Sequence, residues 1–289
     1  MPSLLRKRVW KIRVGDITTT ELDATFDINK SIEREPNSCV LSVFNLSQEH
    51  RRELESLNIY DPKKSAKGGA HKTVKSGNIQ VEVHAGYGES MSLLFRGFLR
   101  RAISTRDGSS WMTTIEGEDG GHDYYARRVV QSFPAGSTKL AVVRACAERM
   151  GVGLGNIDLV AKVLGASVYS KGTVVDGQAD SELRRVLRAH GIRFSVQNGS
   201  LQFLQRNQSL TVRASPISPD TGLVGFPARD ATGMVLATTL LTPDMSPGKY
   251  VTLKSSIDSY NGLYQVVAVN HIGSTFGDDW FHRVTLLPA

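Results

Sequence analysis

A few residue groups in this sequence are of types that could do chemistry. Glu116, Glu118, Asp119, His122 and Asp123 crowd one short stretch and could in principle hold a metal or share a proton. Neighbours along a strand point to opposite faces, so the stretch reads better as the solvated edge of a domain. The seven histidines, at positions 50, 71, 84, 122, 190, 271 and 282, show no HExxH or comparable ligand spacing. Cys39 and Cys146 sit among apolar residues and read as inert core thiols, without partners for a disulfide framework or a zinc site. The glycines of Gly151 to Asn156 suggest a phosphate loop, but the segment follows a helix, whereas an anion is held where a helix begins. No serine stands in a nucleophile elbow. The expectation is a protein that is not an enzyme and carries no cofactor or metal.

Bulk properties narrow the class. The 289 residues are enough for two or three domains, and 40% hydrophobic with 22% charged residues is ordinary globular composition. No apolar run approaches the roughly 20 residues needed to cross a bilayer, and the basic start lacks the apolar core of a secretory signal. Folding in a cytoplasm, away from membranes, is therefore expected. Lysine and arginine number 35 against 28 acidic residues, a formal +7. That excess bears on association rather than on fold, and no nucleic-acid recognition motif accompanies it.

The elements that position everything else are strands. Tyr250 to Pro288 alternates apolar and polar residues between turns at Tyr260-Asn261-Gly262 and Gly273 to Asp279, which predicts an antiparallel meander. Val81 to Gly117 follows the same course. A shift of 169 positions lays Leu94 on Leu263, Phe95 on Tyr264, Ile103 on Ile272, Gly108 on Gly277 and Trp111 on Trp280. The first strand needs a further one-residue shift. Two copies of one β unit are the reading. The three tryptophans, Trp10, Trp111 and Trp280, are expected to pack interiors. Phe95 and Phe98 beside Arg96, Arg100 and Arg101 form the one stripe that could stack bases, and core packing is the better reading there too.

Outside these copies the pattern changes. Residues 9 to 46 read as strands, with Leu22, Ala24, Phe26 and Ile28 on one face. Ser47 caps a short helix bearing Leu54 and Leu57. Asp61 to Gly77 holds Lys63, Lys64, Lys67, His71, Lys72 and Lys75 with little to bury, and is a candidate partner-contact loop. A helix from Lys139 to Met150 is capped by Ser137 or Thr138 and stopped at Gly151. A second begins at an Asp180 cap and ends at Gly191. Asn198-Gly199 between alternating runs predicts a hairpin. Ser215 to Arg229 reads as a Pro/Gly-rich connector. The expected domains are 1–131, a first β-barrel; 132–206, a small α/β insert; and 207–289, a second β-barrel.

Several stretches carry a family resemblance: PNSCVLSVFNLS (Pro36 to Ser47), VHAGY (Val83 to Tyr87) and FRG (Phe95 to Gly97) in the first half. Ser132 to Gly136, SPDTGLVGFP (Ser218 to Pro227), LLTPDMSPG (Leu240 to Gly248) and the G-x-Y-x-V...H-x-G run ending at Trp280 follow. In this order they resemble the baseplate hub, or tail hub, proteins of contractile-tailed bacteriophages. The resemblance implies a mainly β fold with two barrels like the tail-tube protein. It further implies a homotrimer whose six related barrels imitate a sixfold ring, joining the hexameric tube to the trimeric spike. Partners would be other copies, the tube protein, the spike and surrounding baseplate proteins, with DNA only as passing cargo. Its place would be the virion tail, assembled in the host cytoplasm. Two other readings stay open from the residues alone: a nucleic-acid-binding β-barrel, and a tail-associated peptidoglycan hydrolase using Glu116 or Asp119.

Overall fold

The computed structural model describes residues 7–57, 79–120, 124, 127–205, 210, 213–242 and 245–289. The lysine-rich stretch, with Lys63, Lys64, Lys67, His71, Lys72 and Lys75, lies outside the described residues, as do His122 and Asp123. Among the described residues no helix is long and apolar enough to cross a membrane.

Alternation in the sequence becomes alternation in burial. The N-terminal half contains β1 (Arg8–Val14), β2 (Ile17–Thr19), β3 (Ala24–Ser31), β4 (Ser38–Phe44), helix α1 (Gln48–Ser56), β5 (Gln80–Tyr87), β6 (Ser90–Asp107) and β7 (Ser110–Glu118). In β3, Ala24, Phe26 and Ile28 turn inward while Asp27 and Asn29 face solvent. The middle of the chain supplies β8 (Arg128–Phe133), α2 (Lys139–Met150), α3 (Ile157–Leu164), β9 (Thr173–Gln178), α4 (Ala179–Arg188), β10 (Ile192–Gln197) and β11 (Ser200–Gln205). The C-terminal half adds β12 (Ser215–Ile217), β13 (Leu223–Arg229), β14 (Val235–Leu240), β15 (Tyr250–Leu253), β16 (Gly262–Ser274) and β17 (Trp280–Pro288).

The chain is mainly β, but its sheets are not closed into barrels. One 13-stranded ladder runs β13-β14-β17-β16-β3-β4-β7-β6-β5-β1-β2, with β15 joined to β16 and β12 to β15. The expectation of two closed barrels is corrected by the edges of β16. Its first residues pair with β15, while Ala268–Ser274 pair with Ser31–Thr25 of β3 from the other half. The edge that would close the C-terminal sheet on itself is thus occupied by the N-terminal half.

Three large apolar cores lie along this framework, and a small fourth cluster of Ile32, Leu204 and Val267 joins β11 to the sheet. One gathers Ile12, Phe26, Leu41, Val83, Phe95 and Ile115 of the N-terminal half, with Trp280 of β17 included. A second packs α2, α3 and α4 against the β8–β9 and β10–β11 ribbons, through residues such as Val143, Leu183 and Phe203. A third holds Val235, Val251, Tyr264, Val266 and Leu286. Trp280 meets Phe26 edge-on at 5.4 Å between ring centroids. Gly273 makes room for this contact, since a Cβ there would lie 2.1 Å from the Phe26 ring.

The turn between β10 and β11 docks the helical module onto the sheet. Asn198 and Gly199 both adopt positive φ, 54° and 81°, as a tight hairpin turn of this type requires. The buried Asp119 carboxylate accepts both turn amides, from Asn198 N at 2.5 Å and Gly199 N at 2.6 Å. Asn37 donates to Asp119, to the Val196 carbonyl and to Gln197 Oε1. Lys30, also buried, donates to Asn198 Oδ1 at 3.0 Å and to the Leu94 carbonyl at 3.2 Å. Burial lowers the Lys30 ammonium to about 8, with the Asp119 charge acting against that fall. Burial likewise raises Asp119, opposed first by Lys30 and then by its hydrogen bonds.

Several local expectations change. The second helix begins at Ala179, not at an Asp180 cap. Asp180 lies inside it, buried, and pairs with Arg34 and Arg184, both at 3.1 Å. Ser215 to Arg229 is not a connector but contains β12 and β13, with Pro227 on a strand at the sheet edge where its missing N–H costs no ladder bond. Gly151 to Asn156 ends one helix and also leads into α3. The phosphate reading fails for another reason: Gly155 packs on the Leu201 carbonyl, and the Asn156 side chain bonds both main-chain groups of Phe203.

Replacing Asp119 with alanine removes three charge-assisted bonds and strands a buried cation. The expected loss is about 3 kcal/mol in urea unfolding. A loss below about 1 kcal/mol, no more than an ordinary hydrogen bond, would show that packing alone holds the hairpin.

Candidate assembly surface

Seven strands, β14, β17, β16, β3, β4, β7 and the distal part of β6, share one outward face that crosses both halves. A single cross-strand row reads Arg101, Glu116, Val40, Asp27, Ile272, Phe281, Leu240. The neighbouring row reads Glu118, Ser38, Asn29, Asn270, Arg283, Thr238. Residues between these rows, such as Cys39, Ile28 and His282, turn inward and are buried. This is the pattern of an antiparallel sheet with one wet face.

Charges on the face are largely matched. Arg101 pairs with Glu116, and Arg100 with Glu118 at 3.0 Å. Asp27 accepts from Asn29 at 3.0 Å and from Asn270 at 2.6 Å, so the polar ladder itself bridges the two halves. The acidic stretch singled out in the sequence therefore splits. Glu116 and Glu118 face arginines, and Asp119 is a buried anchor rather than a solvated edge. Among the described residues no three His, Cys, Asp or Glu side chains converge as a metal site. Cys39 and Cys146 are buried, and burial raises both thiols, that of Cys146 to about 12.

Behind the face, where β3, β16 and β17 meet, lies a histidine pair. His271 stands between Ile28 and His282 in the ladder, and both rings are buried. The Thr242 carbonyl, 3.1 Å from His282 Nε2, can only accept, so that nitrogen carries the proton. His282 Nδ1 is then the acceptor for His271 Nδ1–H at 2.8 Å. This pattern suits two neutral rings, the form that burial favours. Burial lowers His271 well below its ordinary value, helped by His282 and Lys30, and brings His282 to about 4 against the Thr242 bond. Sequence spacing contained this signal, because 271 and 282 are equidistant from the turn at Phe276-Gly277.

The edges of the ladder complete the surface. β13 ends it on one side and carries Val224 and Phe226, the latter 74% exposed. Gly225 at φ 66° and a register break between Val224 and Ala228 kink this edge, which discourages indiscriminate strand addition. The other edge, β2, is only three residues long.

The family model described as baseplate hub gp41 matches residues 8–281. The chain belongs to that family. It is a family of structural phage-tail proteins, so the chain is a baseplate hub and tail structural protein in that sense. Its fold is similar to the 43 kDa tail protein of prophage MuSo2 from Shewanella oneidensis, with a TM-score of 0.64 at 8% identity, covering 98% of this chain and 97% of that one. It is also similar to a tail protein from Neisseria meningitidis MC58, with a TM-score of 0.63 at 9% identity over 97% and 96% of the two chains. The c3393 protein of E. coli, a component of the type VI secretion system with structural similarity to T4 tail proteins gp27 and gp5, gives 0.59 at 12% identity over 96% and 77%. At such identities the likeness concerns fold alone. A search of curated protein sequences finds no significant match.

Within this hub the positions paired by the 169-residue shift have unequal surroundings. Phe95 faces Val83 across its ladder and Tyr264 faces Val251, and all four are buried. Gly108 turns with φ 58°, whereas Gly277 closes its turn by donating to Ser274 Oγ at 2.8 Å. Trp280 is buried, but Trp111 is 39% exposed, contrary to the expectation of an interior ring. Arg51 stacks over Trp111 at 4.0 Å and takes the place of core neighbours.

The histidine pair makes the hub acid-sensitive. Unfolded imidazoles titrate near about 6.5, so between there and about 4 the unfolded chain binds more protons than the fold. Stability is expected to fall as pH drops through that window, read as a falling Tm. His271→Gln, which keeps a donor for His282, should flatten this acid limb. An unchanged slope would assign it to other groups.

Proposed function

We propose that three copies of this hub form a ring with pseudo-sixfold symmetry between a hexameric tail tube and a trimeric spike. The observation that carries this reading is the outward face shared by both halves, built on two meanders of like course. A closed ring that must match six tube subunits with three chains needs two comparable units per chain. The units proposed are residues 1–131 and 207–289, with 132–206 as the insert between them.

In the assembled ring the seven-stranded face lines a central channel, and Leu93 to Ala102 and Leu263 to His271 hold equivalent places around it. Matched charges such as Arg101 with Glu116 leave little net field to retain DNA passing through. The role is structural, without catalysis, and its site is the tail baseplate of a virion assembled in the host cytoplasm. Other copies, the tube protein, the spike and surrounding baseplate proteins are the partners. The lysine-bearing stretch at 61–77 is proposed to reach one of them, since clustered lysines on a symmetric ring are tolerated best when a partner screens them.

Light scattering on the purified chain is expected to give three times the 31.6 kDa monomer mass. A monomer or a stable dimer at all concentrations would contradict the ring. Deleting residues 66–76 should leave that mass unchanged and slow tail assembly. Normal assembly by the deleted protein would remove the loop from the account.

A further inference from the structure

Beside the helical module two adjoining clefts are rich in arginine. One, of about 540 Å³, is walled by Arg34, Arg184, Arg185 and Arg188. The second, of about 530 Å³, is lined by Arg188 and Arg193 together with Tyr250, Leu287 and Pro288. Arg188 stands on the ridge between them. We propose that these clefts are a docking site for an acidic segment of a partner protein.

Charge bookkeeping around the clefts supports this assignment. Asp180 is shared by Arg34 and Arg184, and Glu182 holds Arg185 at 2.6 Å. Five guanidinium groups therefore answer to two side-chain carboxylates, and Ala289 brings its α-carboxylate to the wall of the second cleft. Among the described residues Arg188 and Arg193 have no carboxylate partner, and both are exposed. Their positions are fixed by rigid elements, since Arg188 closes α4 and Arg193 lies on β10 paired with Leu204. A guanidinium presents a planar fork that matches a carboxylate, so two unpaired forks at one recess select for acidic side chains.

The recess also decides the class of polyanion. Leu287 and Pro288 give the second cleft apolar surface beside its arginines, which suits a peptide carrying an apolar anchor among its carboxylates. A nucleic-acid duplex instead calls for a basic stripe along a face, with phosphates met in series. The site does not depend on the trimeric ring, and a monomeric chain would present it equally.

The test uses the full-length protein and a fluorescein-labelled short peptide rich in Asp and Glu with a single leucine, followed by anisotropy. A peptide with Asn and Gln in place of the acids is the control. Wild-type protein should bind the acidic peptide, more weakly as salt rises, and leave the control unbound. Arg188→Glu with Arg193→Glu should weaken binding by about tenfold or more, since reversal turns attraction into repulsion. Arg193→Gln alone, at an exposed strand position, should weaken it less and guards against a misfolded double variant. Undiminished binding by both variants, no binding by wild type, equal binding of the control, or tighter binding of a DNA duplex through the same two arginines would each overturn the proposal.

Discussion

Backbone pairing between β3 and β16 is the constraint on which the rest of this hub depends. β16 gives one entire edge to β17 and divides the other between β15 and β3. Buried N–H and C=O groups must find partners, so neither half can be removed without exposing the ladder of the other. A register break between Val266 and Ala268 falls where β16 passes from β15 to β3, the place for a bulge that bends a strand between two partners. Side chains follow the same route. Trp280, sequentially in the last strand, packs in the first core, and Arg8 of the first strand donates to the carbonyls of Ser274, Gly277 and Asp278.

The helical module is tied to this joined sheet by a small apolar cluster of Ile32, Leu204 and Val267 and by a set of polar contacts that fixes its orientation. Its hairpin reaches Asp119 at the end of β7, Asn37 before β4 and Lys30 on β3. Arg34, between β3 and β4, separately reaches Asp180 on α4. Hydrogen bonds to buried charges are directional, so they fix orientation where an apolar patch would allow sliding. A protein whose task is to present surfaces at set angles gains more from such a joint than from extra burial.

Local chemistry was legible in the sequence, and distant pairing was not. Ser47 accepts from His50 N, Thr138 accepts from Ala141 N, and Gly151 closes its helix at φ 72°, because caps are set by a few adjacent residues. The Asn198-Gly199 turn was readable for the same reason. What that turn docks onto was not, since Asp119 lies some eighty positions away in sequence. Asp119 stood out as an acid, but spacing alone could not tell a solvated carboxylate from one holding two amides. The two meanders were visible as alternation. That Trp280 would enter the first core depends on the β3–β16 pairing, and nothing near Trp280 encodes it. β13 was hidden by Pro227 and Gly225, which mark a bulged edge strand as readily as a loop.

Hydrogen exchange across the joined strands tests the central claim most directly. If the halves form one body through β3 and β16, amides of Thr25 to Ser31 and Ala268 to Ser274 should exchange last, together and only through global unfolding. Exchange of these amides ahead of the two cores, with each half retaining its own protection, would show two independent units in contact and contradict the account.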